Sequence, residues 1–291
     1  MNPSPFTYHR AGSVGEAIDL LREHEDAGVK LIAGGHSLLP VMKLRLAEPA
    51  HLIDIGGIAG LAGISAGTDG LTIGALTTHR ALETDPAVAR HAPLLAEMAA
   101  KVGDRQVRAR GTIGGTVAHA DPTADYPAGL LALGAEMIVQ GPDGERTIPA
   151  AEFFVGFLTT ALSPDEVVTA VRVPALPSLT GTSYQKLANQ ASGYAVVGVA
   201  AVVTLDAAGA CSDIRIGVTG AGDHAIRAAA AEDALRGQSL TDEVIKAATD
   251  RADEGIDLLD DIHASADYRR RMVRGLARRA VLAAVERAGA K

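Results

Sequence analysis

The chain has 291 residues, 47% hydrophobic and 21% charged, enough for a substantial core spread over two domains. A net charge of -8 argues against a broad nucleic-acid surface, and the longest apolar runs fall short of the ~18 residues that a membrane span requires. The single cysteine, Cys211, excludes an internal disulfide and any cysteine-only metal or cluster site.

MNPSPFTYHR lacks the apolar segment of a secretory signal, so a cytoplasmic location is expected. Val14, Ala17, Ile18 and Leu21 recur at helical spacing and predict a helix over 14–24. Ser13 is its expected N-cap, with Glu16 completing a capping box. VKLIA (29–33) reads as a short strand, 38–46 as a short helix and HLIDI (51–55) as a second strand, together an α/β unit of 55 residues. Two short strands with a turn at 67–70 follow. Thr78 is placed to cap a helix, Pro86 to restart one, and 87–102 reads as a single alanine-rich helix. The stretch 105–127 is charged and punctuated by glycine, and Asp125 is placed to cap a helix through Leu133. Residues 135–148 read as a hairpin with a Pro-Asp-Gly turn, and 166–174 as a strand. PALPSLTG (174–181) is the expected linker. Beyond it, three strands precede helices at 228–236, 242–254 and 267–287, an α+β order.

Two short motifs echo each other: Ile32-Ala33-Gly34-Gly35-His36-Ser37, and Ile113-Gly114-Gly115-Thr116 after Gly111-Thr112. Backbone N–H groups in a tight turn form a concave nest for anionic oxygens, and glycine lets a ligand approach. A helix starting just beyond would add its dipole. Ser37, Thr112 and Thr116 supply hydroxyls. Either motif alone reads more simply as a glycine turn; two in one domain, both beside hydroxyls, bring the readings level. No GxGxxG fingerprint and no GxxxxGK[ST] occur, which disfavours a Rossmann site and a P-loop hydrolase.

In HADPTAD, His119, Asp121 and Asp125 have metal-ligand chemistry, but no second ligand cluster accompanies them. No metal site is expected; a carboxylate accepting from a polyol fits better. Lys186 reads equally as a solvated lysine or a ligand contact, and Tyr194 as a core or ring-stacking aromatic. His36 and His79 read as loop histidines, and His51 as structural. The basic run 268–279 reads as a solvated helix face or a docking helix. No G-x-S-x-G elbow or Ser/His/Asp pattern appears, and Cys211 reads as structural.

AGGHSLLPVMKLRLA, TIGGTVAHADPTADYP, the stretch from Phe153 to Glu166 that contains Leu162, and YQKL at 184–187 together resemble the FAD-binding medium subunit of molybdenum hydroxylases, in particular the carbon monoxide dehydrogenase type. The resemblance spans nearly the whole chain. It implies an α+β protein. A vanillyl-alcohol-oxidase-like (PCMH-type) FAD domain over 1–176, in α/β subdomains 1–55 and 56–176, precedes a C-terminal domain over 177–291 with a three-stranded antiparallel sheet and helices. It implies FAD, with Ile32, Ala33, Gly34, Gly35, His36, Ser37 and Leu38 and with Gly111, Thr112, Ile113, Gly114, Gly115 and Thr116 around the diphosphate. Thr77, Thr78 and His79 form the adjoining loop, Asp121 and Asp125 the polar contacts of the ribityl side, and Leu162, Lys186 and Tyr194 the flavin side. Two positions depart from the family pattern: Thr116 replaces the usual Asn or Ser, and Ser192-Gly193 precede Tyr194 where relatives often carry an acidic residue.

The implied role is electron transfer. Molybdenum cofactor on a large subunit oxidises the substrate, two [2Fe-2S] clusters on a small subunit relay electrons, and this chain passes them through FAD to an external acceptor, with no catalytic acid or base of its own. A dimer of heterotrimers is implied, without nucleic acid or a transmembrane segment, in the cytoplasm or at the membrane's inner face. Carbon monoxide is the implied substrate; an N-heterocycle or aldehyde is the alternative within the family, and a non-redox nucleotide-binding module the alternative outside it.

Overall fold

The computed structural model describes residues 2–289. Strand β1 (Thr7–Arg10) leads into α1 (Val14–Glu23), then β2 (Val29–Ile32), α2 (Leu38–Lys43) and β3 (His51–Asp54). The three strands form a parallel sheet in the order β1-β3-β2. Ser13 caps α1 through the Glu16 amide, but Glu16 reaches the Gly12 amide, one residue before the cap. Ala17, Ile18 and Leu21 of α1 bury against Ile53, which holds the helix on one face of the sheet.

Next come β4 (Ile64–Gly67), β5 (Gly70–Gly74), α3 (His79–Thr84), α4 (Pro86–His91), α5 (Pro93–Ala99), α6 (Arg105–Arg110), α7 (Ile113–His119) and α8 (Tyr126–Leu133). They are followed by β6 (Glu136–Gly141), β7 (Gly144–Pro149), α9 (Ala150–Phe153), β8 (Phe154–Gly156), β9 (Thr159–Thr160) and β10 (Val167–Pro174). The order β4-β5-β10-β6-β7 makes an antiparallel sheet closed by its latest strand, which inserts between the two hairpins. The last part holds β11 (Thr180–Ala188), β12 (Ala195–Leu205), β13 (Cys211–Thr219), β14 (Ile226–Arg227), α10 (Ala229–Leu235), α11 (Asp242–Thr249) and α12 (Ala266–Gly289).

Helix α8 is apolar on every side, and all its residues are buried. A helix of that kind must sit inside a core. It lies between the five-stranded sheet and the last sheet, so one apolar cluster runs from Ile73 and Val171 through Leu130 to Ala200 and Val202. The alternate residues of β12, Val197, Val199, Ala201 and Val203, face α12 instead. Each such valine, leucine or isoleucine side chain contributes about 1.5–3 kcal/mol by burial. The C-terminal part is thereby welded to the middle of the molecule.

Several elements differ from expectation. The helix expected over 87–102 is two helices, because Pro93 cannot donate its amide and starts α5 afresh. The stretch 105–127 is largely helical: Asp104 caps α6 and Thr112 caps α7. The last sheet has a fourth, two-residue strand, β14. Asp125 precedes α8 but makes no capping bond. Part of the basic run on α12 is engaged within the chain. Arg269 is buried, donating to the Val196 and Gly220 carbonyls at 2.6 Å and to Asp261 at 2.7 Å, while Arg270 and Arg274 pair with Asp253.

Candidate functional site

The first Gly-Gly segment leaves β2 at Ile32 and enters α2 at Leu38. Gly35 has φ +72°, a left-handed conformation that glycine adopts without strain. Among the described residues no protein acceptor meets the amides of Gly34, Gly35, His36, Ser37 or Leu38. The carbonyls are used: Gly34 O meets His36 Nδ1 at 2.9 Å and Gly35 O accepts from Leu39 at 3.0 Å. The loop is therefore a run of unpartnered donors beside a helix start.

The second segment is built differently. Gly114 and Gly115 lie in the first turn of α7, not in a loop before it. The Gly114 amide donates to Ala75 O at 2.8 Å, Gly115 to Thr112 Oγ1 at 3.1 Å and Thr116 to Thr112 O at 3.1 Å. A Cβ on Gly114 would stand 2.5 Å from Ala75 Cβ. Thr77, Thr78 and His79 support this turn from beneath. Thr78 bridges to Thr112, Ile113 donates to Thr77 O, and His79 donates to Gly111 O. The two segments touch: a Cβ on Gly34 would lie 2.3 Å from Arg110 O.

Beside the first loop is a groove of about 280 Å³, lined by Tyr8, Arg10, the Ala33 to Gly35 part of the loop, Asp54 and Arg110 among others. The Tyr194 phenol lies near the Ser37 side chain. Burial, then the Asp121 and Asp125 carboxylates, pushes that phenol's pKa up. Next to it Asp125 Oδ2 accepts from Lys186 Nζ at 2.8 Å and Oδ1 from the Tyr184 hydroxyl at 2.5 Å. Lys186 also donates to Lys101 O at 3.0 Å. Burial pushes the Asp125 carboxyl up, against the pull of the Lys186 ammonium and the Tyr184 hydroxyl. The Asp121–Asp125 loop is clasped by the last sheet: Thr219 Oγ1 bonds Pro122 O and Ala124 O at 2.8 Å, and Ala195 donates to Thr123 O.

The structure thus brings the first loop, the second turn, residues 77–79, Asp121, Asp125, Lys186 and Tyr194 into one region, though not all in one posture. His79, read as a loop histidine, is 3% exposed; its Nδ1 lies 3.2 Å from the Tyr126 hydroxyl, and burial lowers its pKa to about 4. Lys186 is not solvated but paired in the interior. The Thr116 hydroxyl donates back to Thr112 O, and Asp121 Oδ1 accepts from Thr123. Leu162 packs at the margin of the large core, its amide on Thr160 Oγ1 at 3.3 Å. Arg10, Arg110 and Tyr184 were missed. Arg110 directly precedes the second motif and was the one local signal available; Arg10 and Tyr184 reach the site only through strand pairing.

The donor set of unpartnered amides, two arginines and hydroxyls, without soft ligands, fits a diphosphate. The comparisons agree. The FAD binding domain in molybdopterin dehydrogenase matches residues 4–176, and the CO dehydrogenase flavoprotein C-terminal domain matches 182–284. The carbon monoxide dehydrogenase medium chain of Hydrogenophaga pseudoflava is 42% identical over 98% of this chain and 98% of its own. The 6-hydroxypseudooxynicotine dehydrogenase complex subunit alpha of Paenarthrobacter nicotinovorans is 40% identical over 99% of this chain and 97% of its own. A solved carbon monoxide dehydrogenase from Hydrogenophaga pseudoflava, one lacking the Mo-pyranopterin moiety, superposes with a TM-score of 0.95 at 44% identity, covering 99% of both chains. Among the described residues no helix is long and apolar enough to cross a membrane. Fold, site and likeness converge: the chain belongs to the FAD-binding medium subunits of the molybdenum hydroxylases.

Proposed function

We propose that the amides of residues 34–38, with Arg10 and Arg110 in the adjoining groove, hold the FAD diphosphate, and that Tyr194, Asp125 and Lys186 border the flavin end. The observation that carries this reading is the row of five donors that find no acceptor among the described residues, against a second turn whose amides are satisfied internally. When bound, FAD supplies a redox couple that takes up electrons and releases them to an acceptor. The chain's own residues bind and orient. Gly35 makes the left-handed turn of the first loop, Thr112 caps the start of α7, and Tyr194 brings the C-terminal part up to Ser37. The buried Asp125–Lys186 pair sets charge at the site's floor. Asp121 retains its second carboxylate oxygen to accept from a ligand hydroxyl, and the Thr112 hydroxyl, which accepts from Gly115, retains its proton to donate.

Arg110→Ala and Ser37→Ala test the placement. Flavin retained after ultrafiltration should fall about tenfold for the arginine, a charge-assisted contact, and about fivefold for the serine. Unchanged retention in both would overturn it.

The proposed partners are a small iron-sulfur subunit and a large molybdenum subunit in a dimer of heterotrimers, in the cytoplasm or at the membrane's inner face; purification from the native host and fractionation check both. Carbon monoxide is the proposed reducing substrate, supported by the 42% relative. The 40% relative supports an N-heterocycle-derived substrate nearly as well. Anaerobic bleaching of the flavin by carbon monoxide, and not by N-heterocycles or aldehydes, separates them.

A further inference from the structure

Three histidines outside the flavin region converge at one edge of the small parallel sheet. Thr7 pairs with His51 and His9 with Ile53, so the alternation of strands puts the side chains of His9, His51 and Ile53 on one face. Ile53 packs with Ala17 and Ile18, so this is the face α1 covers. Helix α1 ends at Glu23, and His24 follows at its C-cap, arriving over the same edge. The His24 and His51 rings stack at 3.8 Å between centroids, 13° from parallel, and the His9 ring stands 4.9 and 5.2 Å from them. His9 Nε2 and His51 Nδ1 are 2.9 Å apart, a hydrogen bond between the two rings that a bound cation would replace. One nitrogen from each ring lies within 4.8 Å of the others, and all three residues are half-buried.

Among the described residues no carboxylate is hydrogen-bonded to any of the three rings. Imidazoles with converging nitrogens are the donor set of a borderline divalent cation. The environment favours positive charge. The carbonyl end of α1 points here, and Glu23, Glu25 and Asp26 flank His24 in the chain.

We propose that His9, His24 and His51 bind one divalent cation of the zinc class, leaving its fourth position to water and fastening the end of α1 to β1 and β3. The proposal departs from the expectation of no metal on the chain and of a structural His51. Positions 9, 24 and 51 are too far apart for any short ligand-spacing motif. The site is separate from the flavin groove, whose Tyr8, Arg10 and Asp54 project from the opposite face of the same sheet.

The test uses the full-length protein, stripped with chelator and dialysed against micromolar zinc chloride. About one zinc per chain is expected, with three nitrogen scatterers near 2.0 Å in its X-ray absorption spectrum. His24→Gln and His51→Gln should each lower zinc retention at least tenfold, while His263→Gln, at an exposed histidine elsewhere, should not. Circular dichroism and flavin content of the same samples report folding. If His51→Gln does not fold, His24→Gln at the helix end decides alone. Substoichiometric zinc, an oxygen-dominated shell, or full retention by a folded His24→Gln protein would overturn the proposal.

Discussion

Gly34-Gly35 and Gly114-Gly115 each sit near an apolar residue and precede a hydroxyl, yet their amides face different partners. Among the described residues those of the first pair meet no acceptor; those of the second are taken by Ala75 and Thr112. In the first pair, Gly35 makes a left-handed turn. In the second, the missing Cβ of Gly114 lets α7 lie directly on Ala75. The dipeptide is therefore no measure of ligand contact. What counts is whether the backbone around it has already found its acceptors.

Four experiments break or sharpen this contrast. Gly114→Val should have the largest effect, at least ~3 kcal/mol of stability, because its side chain would enter the backbone of Ala75. Urea denaturation reads it, and flavin should be lost only with the fold. A Gly114→Val protein with normal stability and no flavin would mean that the second turn touches the ligand directly.

His79, buried behind the second turn, comes next. Its pKa falls from 6.5 to about 4 on folding, so the unfolded chain binds the extra proton between these values. Stability from this group is fully present above pH 6.5 and is lost as pH falls toward 4, by roughly 3 kcal/mol in all. Denaturation midpoints of wild type and His79→Gln across that window should converge as pH drops. Parallel curves would remove His79 from the turn's support.

Gly35→Ala should strain the left-handed position by about 1–2 kcal/mol. Its signature should be the reverse of Gly114→Val: about tenfold weaker flavin binding with a modest drop in melting temperature. Thr112→Val should have the smallest effect, about 1 kcal/mol, through loss of the α7 N-cap. Flavin affinity that falls more than stability would show the Thr112 hydroxyl acting on the ligand as well.

Much was legible without coordinates wherever the signal was local. Ser13, Thr78 and the Pro-Asp-Gly turn announced their elements through side-chain and turn chemistry a few residues long. Pro93 was equally local and was passed over; a proline within a helical pattern marks a new start. The glycine motifs and Lys186 drew notice by type and order, and the resemblance supplied the cofactor. Postures were not legible. Asp125 looked like a cap or a ligand contact and proved to be the partner of Lys186 and Tyr184, residues that reach it only when the last sheet closes over α8.

The sequence by itself determined most element types, the glycine punctuation and the family, because helical period, turn residues and motif order are written in neighbouring positions. Only the tertiary structure decided which amides remain unpartnered, which histidines are buried beneath a turn and which gather at an edge. These depend on groups distant in the chain meeting in space, where each acceptor already taken by the protein is one that no ligand needs to replace.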